Sequence, residues 1–308
     1  MNTVTHEPRL NYLPCPDKDG SHRMAYWEWG DWGNVANPHV VICVHGLSRQ
    51  GRDFDVLARA LMGEQSEHGQ RCRVICPDVT GRGHSDWLKD PMGYQVPQYA
   101  GDMLLLLATL RQQGTQTIDW VGTSMGGLIG MAVAAQPGAG IGKLVLNDVG
   151  PAVQWDALQR IKSYVGAAPT FATEQAGIDA LWQLSVSFGP HTAQEWLALS
   201  RPMLRQSHVD GVTQYSLHYD PNIAVPVRAA TQEMAAQGEA MLWQAYDSLR
   251  CPTLVTRGAE SDLLSPATAK AMQERGPKAR LVEFAGVGHA PTLVADDQVA
   301  AVASFLFA

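Results

Sequence analysis

The chain is predicted to fold as an α/β domain, a mostly parallel sheet flanked by helices and interrupted once by a helical insertion. Two patterns predict this. Short β-branched runs alternate with longer segments of helical period through the first half and again at the end, as in βαβ units. Between residues 149 and 249 that alternation stops, and helix-like pieces rich in Trp, Ala and Gln take over. Composition agrees with a globular chain. Of 308 residues, 45% are hydrophobic, so a sizeable core can be buried.

The elements follow in order. Met24 to Trp29 reads as an amphipathic strand ended by Gly30-Asp31-Trp32-Gly33, and Val40 to Val44 as a strand covered on both faces. A helix is expected from Asp53 to about Glu64, with Phe54, Leu57 and Leu61 on one side. Arg73 to Cys76 is the next strand, stopped by Pro77. Pro97 suits the first turn of a helix reaching Gln113, whose Met103, Leu106, Leu107 and Leu110 make a buried stripe. Then come strand Thr117 to Val121, helix Met125 to Ala135 and strand Lys143 to Asn147. Within the insertion, Trp155 to Val165, Glu174 to Val186 and Ala193 to Leu199 read as helices. The sheet pattern returns with Pro252 to Arg257, a helix opened by Ser265-Pro266, a strand Ala279 to Phe284 and a last helix near Asp297 to Phe307. Residues 1–149 and 250–308 are thus expected to form the core and 150–249 a cap over the carboxyl edge of the sheet, where open α/β sheets bind ligands.

Charge and cysteine usage narrow the partners. Lys and Arg total 23 against 30 Asp and Glu, a formal charge of −7, which argues against a dominant nucleic-acid or anionic-membrane surface. The longest apolar run, Met103 to Leu110, is far short of the roughly 20 residues that cross a bilayer. The amino-terminal Met1 to Asn11 has no stretch like a secretory signal. Cys15, Cys43, Cys72, Cys76 and Cys251 make an odd count without zinc-site spacing, which suggests reduced thiols and a cytoplasmic home. His208, Asp210, His218 and Asp220 have no ligand spacing either. No metal or cofactor is expected, and the partner expected is a small molecule, with the chain a monomer or homodimer.

The sharpest chemical signal is Gly122-Thr123-Ser124-Met125-Gly126, a G-x-S-x-G between a predicted strand and a predicted helix. A tight strand-to-helix turn lifts the serine hydroxyl out of the sheet, while the flanking glycines remove side chains that would clash. The helix beside it turns its free N–H groups toward a developing oxyanion. Serine needs a base, and His289, in a loop after the last strand, emerges at the same sheet edge. The imidazole needs a carboxylate in turn. Asp262 follows the strand ending at Arg257 and is the expected partner. Glu260 shares its loop, and Asp148, at the end of a neighbouring strand, stands next. Gly46 lets the backbone turn so that the N–H of Leu47, with that of Met125, can form an oxyanion hole. His45 is read as a structural residue that holds this loop by hydrogen bonds.

These motifs together resemble the α/β-hydrolase fold superfamily, in its serine esterase-like branch with a helical cap, over nearly the whole chain. Asp78-Val79-Thr80-Gly81-Arg82-Gly83-His84-Ser85 is similar to the family's D-x-x-G-x-G-x-S loop, and Leu146-Asn147-Asp148-Val149-Gly150-Pro151 resembles the strand-to-cap junction of esterase-like members. The resemblance implies an eight-stranded, mostly parallel sheet and a structural role for Asp78, His84 and Ser85. Sister activities that need an aspartate nucleophile are excluded by Ser124. What remains is acyl transfer to water: a carboxylesterase acting on small to medium apolar esters, through an acyl-serine. Lactone hydrolysis and C–C bond hydrolysis of dienoic ring-cleavage products use the same parts, the latter with a cation such as Arg160, Arg201, Arg205 or Arg228 to hold a carboxylate. A proline-releasing aminopeptidase and a ligand receptor rank below these. The cap aromatics suggest an apolar pocket, with Trp155, Trp182 and His218 as candidate lining residues.

Overall fold

The computed structural model describes residues 7–30, 39–63 and 72–308. The expected turn at Asp31-Trp32-Gly33, the first six residues and Glu64 lie outside the described residues. The strands are β1 (Arg9–Asp17), β2 (Gly20–Trp29), β3 (His39–Val44), β4 (Arg73–Pro77), β5 (Thr117–Thr123), β6 (Ile141–Asn147), β7 (Thr170–Phe171), β8 (Leu204–Val209), β9 (Val212–Leu217), β10 (Thr253–Gly258) and β11 (Arg280–Phe284). The helices are α1 (Asp55–Gly63), α2 (Val96–Gln112), α3 (Met125–Ala134), α4 (Trp155–Tyr164), α5 (Glu174–Leu184), α6 (Ala193–Ser200), α7 (Ala224–Ala229), α8 (Gln232–Ser248), α9 (Pro266–Glu274) and α10 (Asp296–Phe307).

Eight strands form one sheet in the order β1-β2-β4-β3-β5-β6-β10-β11. β1 pairs antiparallel with β2 and β2 antiparallel with β4, and the remaining pairs are parallel. Burial alternates as a two-sided sheet requires. Val40, Ile42 and Val44 of β3, with Leu144 and Leu146 of β6, join one core that also holds Met103, Leu106 and Leu110 of α2 and Ile129 of α3. Val41 and Cys43, with Val145, point the other way, into a second core with Leu57 and Leu61 of α1 and Val302 and Leu306 of α10. Each such side chain taken from water contributes roughly 1.5–3 kcal/mol, so a charge at Val41 or Ile42 would disrupt the central strand.

Two elements differ from the sequence reading. β1 was not foreseen, because Pro14 and Pro16 interrupt it. It survives as an edge strand, whose free side needs no N–H. The insertion is also not purely helical. β7, β9 and β8 form a small antiparallel sheet, and the β8–β9 hairpin turns through Asp210 and Gly211, both at positive φ.

Strand order reverses about β3, with β4 on one side and β5 on the other. That switch point opens a crevice beyond the carboxyl ends of β3 and β5, where Leu47 and Ser124 lie. Residues from the segment between β6 and β10 close this crevice from above. Among the described residues, no helix is long and apolar enough to cross a membrane.

Candidate active site

Ser124 sits at the turn from β5 to α3 with φ 53° and ψ −117°, a strained conformation for a residue with a side chain. The turn is held on every side. The Ser124 N–H donates to the Asn147 carbonyl (2.9 Å), and its own carbonyl accepts from the N–H of Gly127 (2.9 Å). Glycine is obligatory at two neighbours. A Cβ on Gly126 would lie 1.9 Å from the Val44 carbonyl oxygen, and one on Gly122 would lie 2.3 Å from that of Gly126. The Trp120 indole N–H donates to the Gly126 carbonyl (3.1 Å) and fixes the first turn of α3.

The Nε2 of His289 lies 3.0 Å from the Ser124 hydroxyl, and its Nδ1 lies 2.7 Å from Asp148 Oδ2. With Nδ1–H donating to the carboxylate, Nε2 is left to accept the serine proton. Asp148 is wholly buried at the end of β6 with φ 55°. Its Oδ1 accepts from the Gly258 N–H (2.9 Å) and its Oδ2 also accepts from the Ser261 hydroxyl (2.6 Å). Asn147 ties the neighbouring strand ends together. Its amide donates to Thr123 Oγ1 (2.9 Å) and to the Pro291 carbonyl (2.8 Å), and its Oδ1 accepts from the Thr256 hydroxyl (2.8 Å).

The structure therefore brings Ser124 and His289 together and does not bring Asp262 to them. Asp262 is about half exposed, and its two oxygens accept from the Arg160 guanidinium (2.8 and 3.0 Å). The loop after β10 contributes Ser261 to the buried carboxylate of Asp148, and the next residue turns outward to meet α4. Both acids follow adjacent parallel strands, which is why position along the chain did not separate them.

The loop after β3 is locked from below. His45, fully buried, donates from Nδ1 to the Gly46 carbonyl (2.7 Å) and accepts the Val79 N–H at Nε2 (2.9 Å). Burial pushes its pKa down to about 3, so it is neutral and structural. Arg82 reaches both expected oxyanion residues. Its Nε donates to the Leu47 carbonyl (2.8 Å) and its Nη2 approaches Met125 Sδ (3.6 Å), while Nη1 donates to the Thr80 carbonyl and the Tyr99 hydroxyl. Among the described residues, neither the Leu47 nor the Met125 N–H donates to a protein acceptor. Asp78, wholly buried, accepts from the N–H groups of Gly51 (2.8 Å) and His84 (2.9 Å). Burial, only partly offset by these bonds, raises its carboxyl to about 6. Ser85 donates to the Asp78 carbonyl (2.5 Å) and accepts from the Ala25 N–H, so this loop acts as a clasp between β2 and β4.

A cavity of about 270 Å³ opens onto Ser124 and His289. Leu181, Phe188, Met203 and Leu217 form much of its wall, with Arg49 and Arg160 as its two guanidinium groups. None of the three expected lining residues faces it. Trp182 packs edge-on against Trp196 (4.9 Å) inside the insertion, and Trp155 lies under the Lys162 ammonium (4.7 Å). His218 meets His84 edge to face (5.2 Å) along a separate open groove of about 1010 Å³. The two tryptophans thus report the insertion's own packing, while Tyr164, Phe188 and Tyr219 line the cavity among aliphatic side chains.

Cys15, His22 and Asp102 are the one compact group of possible metal-ligating atoms among the described residues. Both His22 nitrogens are already engaged, one with Asp17 (3.0 Å) and one with Asp102 (3.1 Å), and Asp102 also accepts from Thr80 (2.9 Å). That is a completed hydrogen-bond network with no ligand position left open. Asp220 accepts from the Tyr94 hydroxyl (2.6 Å) and His208 pairs with Thr213, which accounts for two members of the polar group noted in the insertion.

Comparison with known proteins agrees with this fold. A 3-hydroxybutyrate-oligomer hydrolase of Cupriavidus necator is 47% identical over 302 residues, covering 98% of this chain and 99% of its own. The esterase YbfF of Escherichia coli is 28% identical, covering 83% of this chain and 88% of its own. The crystal structure of an alpha/beta hydrolase from Novosphingobium aromaticivorans superposes with a TM-score of 0.80 at 35% identity, over 98% of this chain and 99% of that one. The model of the alpha/beta hydrolase family matches residues 41–302, and the chain belongs to that family.

Proposed function

We propose that the protein is a serine hydrolase of carboxylic esters, with short oligoesters of hydroxy acids as its substrate class. The observation that carries the mechanism is the contact between Ser124 Oγ and His289 Nε2 at 3.0 Å, with Asp148 on the far side of the ring. Ser124 attacks the ester carbonyl while His289 takes its proton. The imidazolium so formed is stabilised by Asp148, and the N–H groups of Leu47 and Met125 hold the tetrahedral oxyanion. His289 then returns the proton to the leaving alkoxide. Water activated by the same imidazole frees the acid from the acyl-serine. No step calls for a cofactor. Residues 150–249 act as a cap that sorts substrates by fit to the largely apolar cavity.

Two observations support the substrate class. The Cupriavidus relative, a 3-hydroxybutyrate-oligomer hydrolase, aligns along almost its whole length. A cavity of about 270 Å³ suits a compact ester of few carbons better than a long acyl chain. The test is turnover of p-nitrophenyl butyrate and of the 3-hydroxybutyrate dimer by the wild type and by Ser124→Ala. We expect Ser124→Ala to lose at least about 10⁴-fold in kcat on both. Near wild-type turnover by that variant would end the mechanism.

A further inference from the structure

We infer that Arg160 is a carboxylate-recognition site at the rim of the cavity, selecting esters that carry a free acid group over neutral ones. This rests on the ester-hydrolase reading and adds to it a feature of the substrate and the residue that reads it.

Several cations of the insertion and its surroundings are already engaged or lie elsewhere. Arg201 pairs with Glu174 on the outer surface, and Arg228 donates to the Val165 carbonyl. Arg205 lines the separate open groove. Among the described residues, the cations that line the cavity holding Ser124 are Arg49 and Arg160. Arg49 is committed: its guanidinium grips Asp53 through Nε and Nη2 (2.8 and 2.6 Å), Nη2 also donates to the Leu199 carbonyl, and both side chains are largely covered. It is a strut between the core and α6.

Arg160 differs in every respect. Its side chain is 42% exposed, and its sole carboxylate, Asp262, is 49% exposed and hydrogen-bonded to nothing else among the described residues. Such a solvent-exposed pair holds weakly and exchanges readily. Asp262 does not line the cavity, whereas Arg160 does, with Ile161 and Tyr164 on the same face of α4. The guanidinium is thus turned between an internal acid outside the cavity and whatever acid enters it. The planar fork already binds a carboxylate through two parallel bonds, the geometry that a substrate acid would reproduce. Asp262 is then a competing internal carboxylate that keeps the fork oriented in the free enzyme and yields it on binding.

The experiment compares the 3-hydroxybutyrate dimer with its carboxamide, which lacks the free acid and adds no second ester bond. The readout is the ratio of their kcat/KM values. We expect Arg160→Gln to lower that ratio by about tenfold, because a bidentate charge-assisted contact is lost where the bound substrate excludes water. Asp262→Asn removes the competitor and raises the ratio by about threefold, and added salt lowers it in the wild type. A ratio within twofold of wild type in both variants overturns the inference while leaving the hydrolase reading intact. Failure of the wild type to hydrolyse either ester overturns both.

Discussion

Replacing Asp148 by asparagine isolates the part of the site that the coordinates assign differently from position along the chain. Asp148 Oδ2 accepts two donors, the His289 Nδ1–H at 2.7 Å and the Ser261 hydroxyl at 2.6 Å, while Oδ1 accepts the Gly258 N–H at 2.9 Å. An asparagine has one oxygen for these three donors. If its oxygen keeps Gly258, its NH2 faces Nδ1, and the imidazole must switch tautomer to offer a lone pair there. Nε2 then carries the proton and cannot accept one from Ser124. Loss of the correct tautomer together with the charge that stabilises the imidazolium costs about 10³–10⁴ in kcat, equivalent to about 4–5.5 kcal/mol of barrier. Burial of mismatched donors also costs about 1–3 kcal/mol of stability. The assay is steady-state hydrolysis of a neutral p-nitrophenyl ester, with urea denaturation to separate folding from chemistry. Asp262→Asn serves as the comparison and should stay within about threefold on that neutral ester, since it loses only an exposed ion pair. Retention of activity by Asp148→Asn with collapse in Asp262→Asn would refute the assignment.

Other perturbations follow from the same geometry. Arg82→Met removes the donor to the Leu47 carbonyl, so kcat should fall by about tenfold with little change in KM, as expected when an oxyanion donor loses its positioning. Gly126→Ala forces a Cβ against the Val44 carbonyl, a backbone atom that cannot yield, and should lower the urea midpoint by an amount equivalent to about 3 kcal/mol. His22 is opposed by burial, which alone would lower its pKa, but Asp102 and Asp17 outweigh this and raise it above 6.5. The folded state then holds its proton more tightly than the unfolded one. Stability from this group is complete below pH 6.5 and is lost as pH rises through the folded value. Urea midpoints measured across that range should fall for the wild type and flatten in His22→Gln.

The residues announce most of the frame because the signals involved are local. A short β-branched run such as Val40 to Val44 favours a covered strand, and G-x-S-x-G between a strand and a helix marks the elbow. β1 escaped because proline suppresses strand propensity, and only its place at the sheet edge makes Pro14 and Pro16 tolerable. The β8–β9 hairpin carries a readable signal in Asp210-Gly211, a dipeptide suited to positive φ that is masked by its polar neighbours. The acid partner of His289 was legible only as a pair of candidates. Choosing between Asp148 and Asp262 needs the positive φ at Asp148 and the pull of Arg160 on Asp262, and both are tertiary facts. The cavity wall was least legible, since a tryptophan on a helix of the insertion packs inward or lines a pocket with the same periodicity.

Ser187, in the segment above the sheet, donates to the backbone carbonyl of His289 and accepts from the N–H of Gly288. Any displacement of this segment would pull on the backbone on which His289 is mounted. The two contacts join this segment to the main chain that carries the base. Grafting a foreign roof onto this scaffold would have to carry both stitches across, or the base would drift even with every reacting side chain unchanged.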